Sequence, residues 1–363
     1  MPHTSIHIHG CRVSDEWTLR GMRAAVLENE LLRVTVLLDR GAEIVEFRYK
    51  PLDLDPLLRL PVELRDPSRG LASIGAGGGT FLDYYVGGWQ EILPNGGPPA
   101  AYRGADYGQH GEVCLMPWDS EVLEDGPERV RLRCAVRALR TPLRLERTMA
   151  LERGRAALVL DERLTNEAGE SLDLMWGHHV AFGPPLIEDG ATIATSARRL
   201  LVHEELPGFA PRRLAVGSDV AWPYAPGAGG GTVDMRVVPP RAEAAGREMC
   251  YLTEFDGPAW YAIGSRSREA GFAMRWDGGL FRYLWLWQEL GRAGGYPWWG
   301  RAHTVALEPW TSYPTLGLPE AIRRGTQLTL QPGQTVATRL VAAVYQGAGE
   351  VTGVDEDGSV RVE

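Results

Sequence analysis

The sequence predicts an all-β protein, a large antiparallel β-sandwich, and three observations carry that prediction. Its 44 glycines and 25 prolines punctuate short apolar runs, the texture of many strands joined by turns. Segments 31–39, 42–50, 128–139, 143–152 and 156–166 alternate or carry β-branched residues with a period of two, as a strand half buried in a sheet does. Long amphipathic helices are missing.

The strand at 128–139 shows the pattern best. Val130, Leu132, Cys134 and Val136 face one way, while Arg129, Arg131, Arg133 and Arg137 face water. Turn signals follow at Glu124-Asp125-Gly126-Pro127, Asn166-Glu167-Ala168-Gly169 and Gln331-Pro332-Gly333, each supplying a positive φ or the fixed φ of proline. Neighbouring strands are therefore expected to run antiparallel. Two glycine-rich stretches, 66–104 and 207–232, read as long loops, and loops of that length commonly carry function. The first holds GAGGG at 75–79 and PNGGPP at 94–99, with aromatic residues threaded through it. GAGGG lacks the Gly-Lys-Ser/Thr ending of a phosphate loop.

Composition narrows the function. Hydrophobic residues at 44% allow a substantial core, and one domain spanning 1–363, with an N-terminal extension over about residues 1–25, is the expected organisation. A net charge of −9 cannot neutralise a phosphate backbone, so nucleic acid is not an expected partner. Cys11, Cys114, Cys134 and Cys250 lie far apart without CxxC spacing, which reads as buried reduced thiols. No basic segment precedes an apolar run and none is long enough to span a bilayer. The expectation is a soluble cytoplasmic protein, monomer or homodimer, with no membrane partner. At the N-terminus His7 and His9 alternate with Ile6 and Ile8 at metal-ligand spacing, but only His3 offers a third ligand. That segment reads as a solvated edge strand, and no metal or cofactor is expected.

Three segments concentrate ionisable and aromatic residues: GQHGEVCLMPW at 108–118, LMWGHHVAFG at 174–183 and HTVALEPWTSYP at 303–314. In order and spacing, His110-Gly111, then His179-Val180-Ala181-Phe182, then Glu308 resemble the aldose 1-epimerase (galactose mutarotase-like) family, over about Leu27 to Val344. LTNEAGESL at 164–172 is similar to the strand and turn leading into that family's second histidine. The resemblance implies a divergent member with the galactose mutarotase-like supersandwich fold, acting on a monosaccharide or modified sugar.

It also implies roles. Interconverting anomers requires a proton to leave the C1 hydroxyl while another reaches the ring oxygen, which two groups of opposite protonation state can do. Glu308 is the implied base, starting ionised, and His179 the implied acid, with His110 holding the ring oxygen or sharing the acid role. Neighbouring strand residues face opposite ways, so His178 and His179 should not both enter one pocket. The offset to Phe182 favours His179.

Aromatic residues suit the apolar faces of sugars. Of the 12 tryptophans, Trp176 and Trp285 read as core, whereas Trp89, Trp287 and Trp310 sit beside polar residues and loop signals and are candidates for stacking. Gln90, Glu91, Asn95, Gln288 and Arg301 are candidates for hydroxyl contacts. The family's arginine before the His-Gly motif and its aspartate between the second histidine and the glutamate have no counterparts here. Two rival readings stand: a carbohydrate-binding protein without catalysis on the same scaffold, and a related sugar lyase or isomerase.

Overall fold

The structure, a computed structural model, describes residues 2–69, 79–205, 212–241, 247–291 and 293–363. Residues 75–78 of the GAGGG tract and 207–211 of the second glycine-rich stretch lie outside the described residues.

Two antiparallel sheets face each other across an apolar core. The larger has eleven strands among the described residues. It begins at the edge with Arg12–Leu19, Met22–Glu28, Leu32–Leu37 and Glu43–Tyr49. The order continues through Trp89–Ile92, Gly177–Phe182, His303–Trp310, Tyr283–Leu290 and Arg247–Phe255 to Ala197–Val202 and Asp219–Ala221. The smaller, of eight strands, includes Ala270–Trp276, Thr335–Gln346, Ala157–Asn166, Leu143–Glu152 and Arg129–Arg137 side by side. The predicted alternation holds in the smaller sheet: Val130, Leu132, Cys134 and Val136 are buried, as are the four cysteines, all free thiols. No described helix is long and apolar enough to cross a membrane.

The stretch 66–104 departs from its reading as one loop. It contains the helix Gly79–Tyr84 and the strand Trp89–Ile92, which enters the middle of the larger sheet. All four residues of that strand are buried, so both faces are covered and the alternation that reveals half-exposed strands is lost. The same holds for Gly177–Phe182 and His303–Trp310, buried along their whole length.

The outer face of the larger sheet, turned away from the smaller one, carries a second apolar cluster. Phe81, Tyr85, Trp285, Trp287, Trp310 and Leu318 belong to it, and the helices Gly79–Tyr84 and Leu318–Arg324 contribute to its cover.

Between the sheets lies a buried ionic network. Arg147, wholly buried, donates from Nε to Glu162 at 2.7 Å and from Nη2 to Glu91. The ring of His178 lies 3.3 Å from Glu91 and 3.1 Å from Glu162. Burial by itself would raise the Glu162 carboxyl, but His178 and Arg147 outweigh it and hold the group down at about 2. Glu91 and His178 belong to the larger sheet and Arg147 and Glu162 to the smaller, so the network ties the two together. Arg147→Met would leave two carboxylates buried without their cation, a loss of about 3–5 kcal/mol by analogy with broken buried pairs. Urea denaturation followed by circular dichroism checks this.

Candidate active site

Strand register builds the site. Gly177 pairs with Trp310 and Ala181 with Ala306, which sets His179 directly across from Glu308. On its other side His179 pairs with Gln90, and Glu308 pairs with Trp285. Directly opposed residues project from the same face of a sheet, so these four form one row on the outer face. His179 Nε2 lies 3.7 Å from Glu308 Oε1. His178 takes the opposite face and joins the ionic network, as period-two geometry requires.

His110 arrives on a turn. It and Gly111 both adopt left-handed backbone, φ 59° and 74°. A Cβ on Gly111 would meet the Leu93 carbonyl oxygen at 2.2 Å, so only glycine fits there. The turn is held by the His110 N–H donating to Gly97 O at 3.0 Å and the Gly97 N–H donating to His110 Nδ1 at 3.3 Å. The rings of His110 and His179 come within 5.3 Å.

Aromatic side chains close around these three groups. Phe81 stands 4.5 Å from His110, Tyr85 5.2 Å from His179, Trp287 6.1 Å from His179 and Trp310 6.4 Å from His110, ring centre to ring centre. Trp298 lies against both Tyr85 and Trp287. Trp310 crosses its neighbouring strand over Gly177, where a Cβ would meet the indole at 2.2 Å. Its Nε1 donates to Glu308 Oε2 at 3.0 Å.

Burial sets the charges. Glu308 is 2% exposed and His179 5%. Loss of water pushes the Glu308 carboxyl up to about 8, with the Trp310 hydrogen bond opposing only in part. The same desolvation lowers His179 to about 4, and burial followed by the neighbouring His179 depresses His110 well below the ordinary histidine value. At neutral pH the proton therefore rests on the carboxyl and the imidazoles are neutral. This corrects the expectation of an ionised glutamate beside a protonated histidine, which assumed solvated values.

The other sequence candidates divide between the faces. Gln90 belongs to the row. Its amide donates to Glu43 at 2.8 Å and to Gly87 O at 2.5 Å, and Glu43 is itself paired with buried Arg40. Trp287 and Trp310 also flank the site. Trp89 does not: it is wholly buried in the sandwich core, donating to His178 Nδ1 at 3.2 Å. Glu91 is committed to Arg147. Asn95 is consumed by structure, donating to Pro98 O and Gly108 O while accepting from the Leu318 N–H. Gln288 accepts from Arg213 at 2.5 Å, on the face opposite Trp287. Arg301 is exposed and donates to Pro61 O at 3.2 Å. Core packing for Trp176 agrees with its place in the inter-sheet cluster, and Trp285, also buried, stacks under Trp310 at 4.0 Å.

Sequence reasoning missed Tyr85, Phe81 and Trp298. The signals were the aromatic content of the presumed loop for Phe81 and Tyr85 and the adjacent pair Trp298 and Trp299 for Trp298, but nothing local tells which ring reaches the histidines. Tyr85 stands out because its hydroxyl is buried without a hydrogen-bond partner among the described residues, as are Gln90 Oε1 and His179 Nδ1. Buried polar atoms are nearly always paired, so these three orphans mark the outer face here as a candidate ligand site. Glu91, Glu162 and His178 offer ligand atoms within 4.8 Å of one another, but Arg147 already supplies the positive charge there.

The antiparallel sandwich of two large sheets has the galactose mutarotase-like fold. A Klebsiella pneumoniae protein provisionally named an aldose 1-epimerase is similar at TM-score 0.73 and 16% identity, covering 94% of this chain and 85% of that one. A galactose mutarotase-like protein from Clostridium acetobutylicum is similar at TM-score 0.60 and 14% identity, covering 93% and 99%. A galactose mutarotase related enzyme from Lactobacillus acidophilus gives 0.58 and 14%, covering 91% and 99%. No curated protein matches the chain. The chain belongs to the family described as a domain of unknown function, DUF4432, which matches residues 19–344.

Two outcomes follow from these environments. Tyr85→Phe removes a hydroxyl without a hydrogen-bond partner among the described residues, so its melting temperature should equal or exceed that of wild type in a calorimetric scan. Glu308 has a folded value above its unfolded one. Its contribution to stability is therefore fully present below the ordinary carboxyl value of 4.5 and lost as pH rises through about 8. Glu308→Gln should melt with wild type near pH ~4.5 and a few degrees above it near pH ~9.

Proposed function

We propose that the protein interconverts the anomers of a sugar by general acid–base ring opening and closure, at Glu308, His179 and His110. The observation that carries this reading is the cross-strand pair itself: a carboxyl and an imidazole 3.7 Å apart, displaced in opposite directions so that one proton resides on the pair between about 4 and about 8. Such a pair can deliver one proton and accept another without a net change.

With the proton on Glu308, the carboxylic acid is the donor to the ring oxygen and a neutral imidazole accepts the C1 hydroxyl proton. The C1–ring oxygen bond breaks, the aldehyde turns about C1–C2, and the reverse transfers close the other anomer. This exchanges the roles that the sequence resemblance implied. The orphaned Tyr85 hydroxyl, Gln90 Oε1 and His179 Nδ1 give a sugar hydroxyl partners to satisfy, and Trp287 and Trp310 offer flat apolar surface. The site's low exposure requires part of its cover, such as Trp298, to move aside for a pyranose to enter.

Anomer exchange measured by NMR or polarimetry over a panel of neutral, acidic and amino aldoses tests the proposal. Wild type should accelerate exchange of at least one sugar. Glu308→Gln and His179→Asn should each lower the rate by about a hundredfold or more. The rate should be bell-shaped in pH, with limbs near the two values of the pair. If a sugar raises the melting point yet wild type and Glu308→Gln show the same exchange rate, the protein binds sugar without catalysis.

A further inference from the structure

The outer face of the larger sheet continues past Gln90 and Gly88, over its first four strands, into a cavity of about 800 Å³. Its two ends differ. At one, Trp17, Leu19 and Val62 are 60%, 38% and 39% exposed, backed by further aliphatic side chains such as Leu60 and Leu64. All three line the same concave surface, and a concave site that joins apolar walls to a few polar groups is the usual form of a small-molecule site.

At the other end arginines overlie glutamates. Glu46 accepts Nε and Nη2 of Arg33 at 3.0 and 2.7 Å, Nε of Arg48 at 2.8 Å and the Thr35 hydroxyl at 2.7 Å. Glu28 accepts Nη2 of Arg12 at 2.5 Å and Lys50 Nζ at 2.7 Å. Both carboxylates are thus saturated from below. Their side chains are 8% and 21% exposed, against 44% for Arg33 and 41% for Arg12. The remaining N–H groups of these two forks have no partner among the described residues. The lining holds Arg12, Arg33, Arg48 and Arg59 against Glu28 and Glu46. Adding the ion-pair partners Lys50, Asp53 and Asp55 leaves one positive charge in excess, in a chain whose net charge is −9.

We propose that this cavity binds an amphiphilic organic anion, its carboxylate on the outer edges of Arg12 and Arg33 and its hydrocarbon against Trp17, Leu19 and Val62. A guanidinium already oriented by a buried carboxylate loses little freedom on taking a second one, and its planar fork matches that geometry. The aliphatic wall takes the apolar body out of water.

The proposal does not rest on the anomer reaction. Isothermal titration with decanoate and with decanol tests it. Wild type should bind one decanoate per chain at least about tenfold more tightly than decanol. The double variant Arg12→Gln, Arg33→Gln should bring decanoate to the decanol level and leave decanol unchanged, while Val62→Asp should weaken both. Glu308→Gln should bind decanoate as wild type does. Equal affinity for the two probes, indifference to the arginine substitutions, or loss of binding in Glu308→Gln would each overturn the assignment. So would a wild-type dimer, seen by light scattering, that takes up neither probe and that Val62→Asp dissociates.

Discussion

The site depends on one constraint, the two-residue alternation of a strand that is buried on both sides. Gly177–Phe182 has no solvent face, so its consecutive histidines cannot share an environment. His178 is driven into the space between the sheets, where Trp89 donates to its Nδ1 and the Glu91 and Glu162 carboxylates lie within 3.3 Å of its ring. His179 is driven onto the outer face, opposite Glu308 on the next strand. A slip of one residue in the pairing with His303–Trp310 would flip both side chains to the other face, leaving either the ionic network or Glu308 without an imidazole. The buried network is thus a register device as well as a clamp between sheets.

That placement determines the chemistry through water rather than through direct charge contacts. Among the described residues Glu308 has no cation beside it. Aromatic rings and the Trp310 indole surround it, and the result is a carboxylic acid that keeps its proton at neutral pH next to an imidazole that does not take it. Glu162, equally buried but on the smaller sheet and facing the space between the two, ends at the opposite extreme because Arg147 and His178 compensate its desolvation. Two glutamates at the same depth thus differ by whether a positive partner came with them.

The fold was largely legible. Half-exposed strands such as Arg129–Arg137 announce themselves because water enforces alternation on one face. The motifs His110-Gly111, His179 and Glu308 were legible too, through their order. Less legible were the strands that build the site. Trp89–Ile92 looked like part of a loop because Gly87, Gly88 and the PNGGPP stretch surround a short segment with no solvent face to reveal its period. From that misreading followed the assignment of Trp89 and Glu91 to sugar contact, when the pleat sends both into the core and leaves Gln90 between them on the outer face.

By itself the sequence determined the architecture class, the family resemblance and the identity of the ionisable trio, because those depend on local periodicity and on motif order along the chain. Only the tertiary structure decided which histidine faces outward in company with which carboxyl, which rings close over them, and where the proton rests. Those properties arise from desolvation and from cross-strand register between segments far apart in the chain, and neither quantity exists until the sheets have closed on each other.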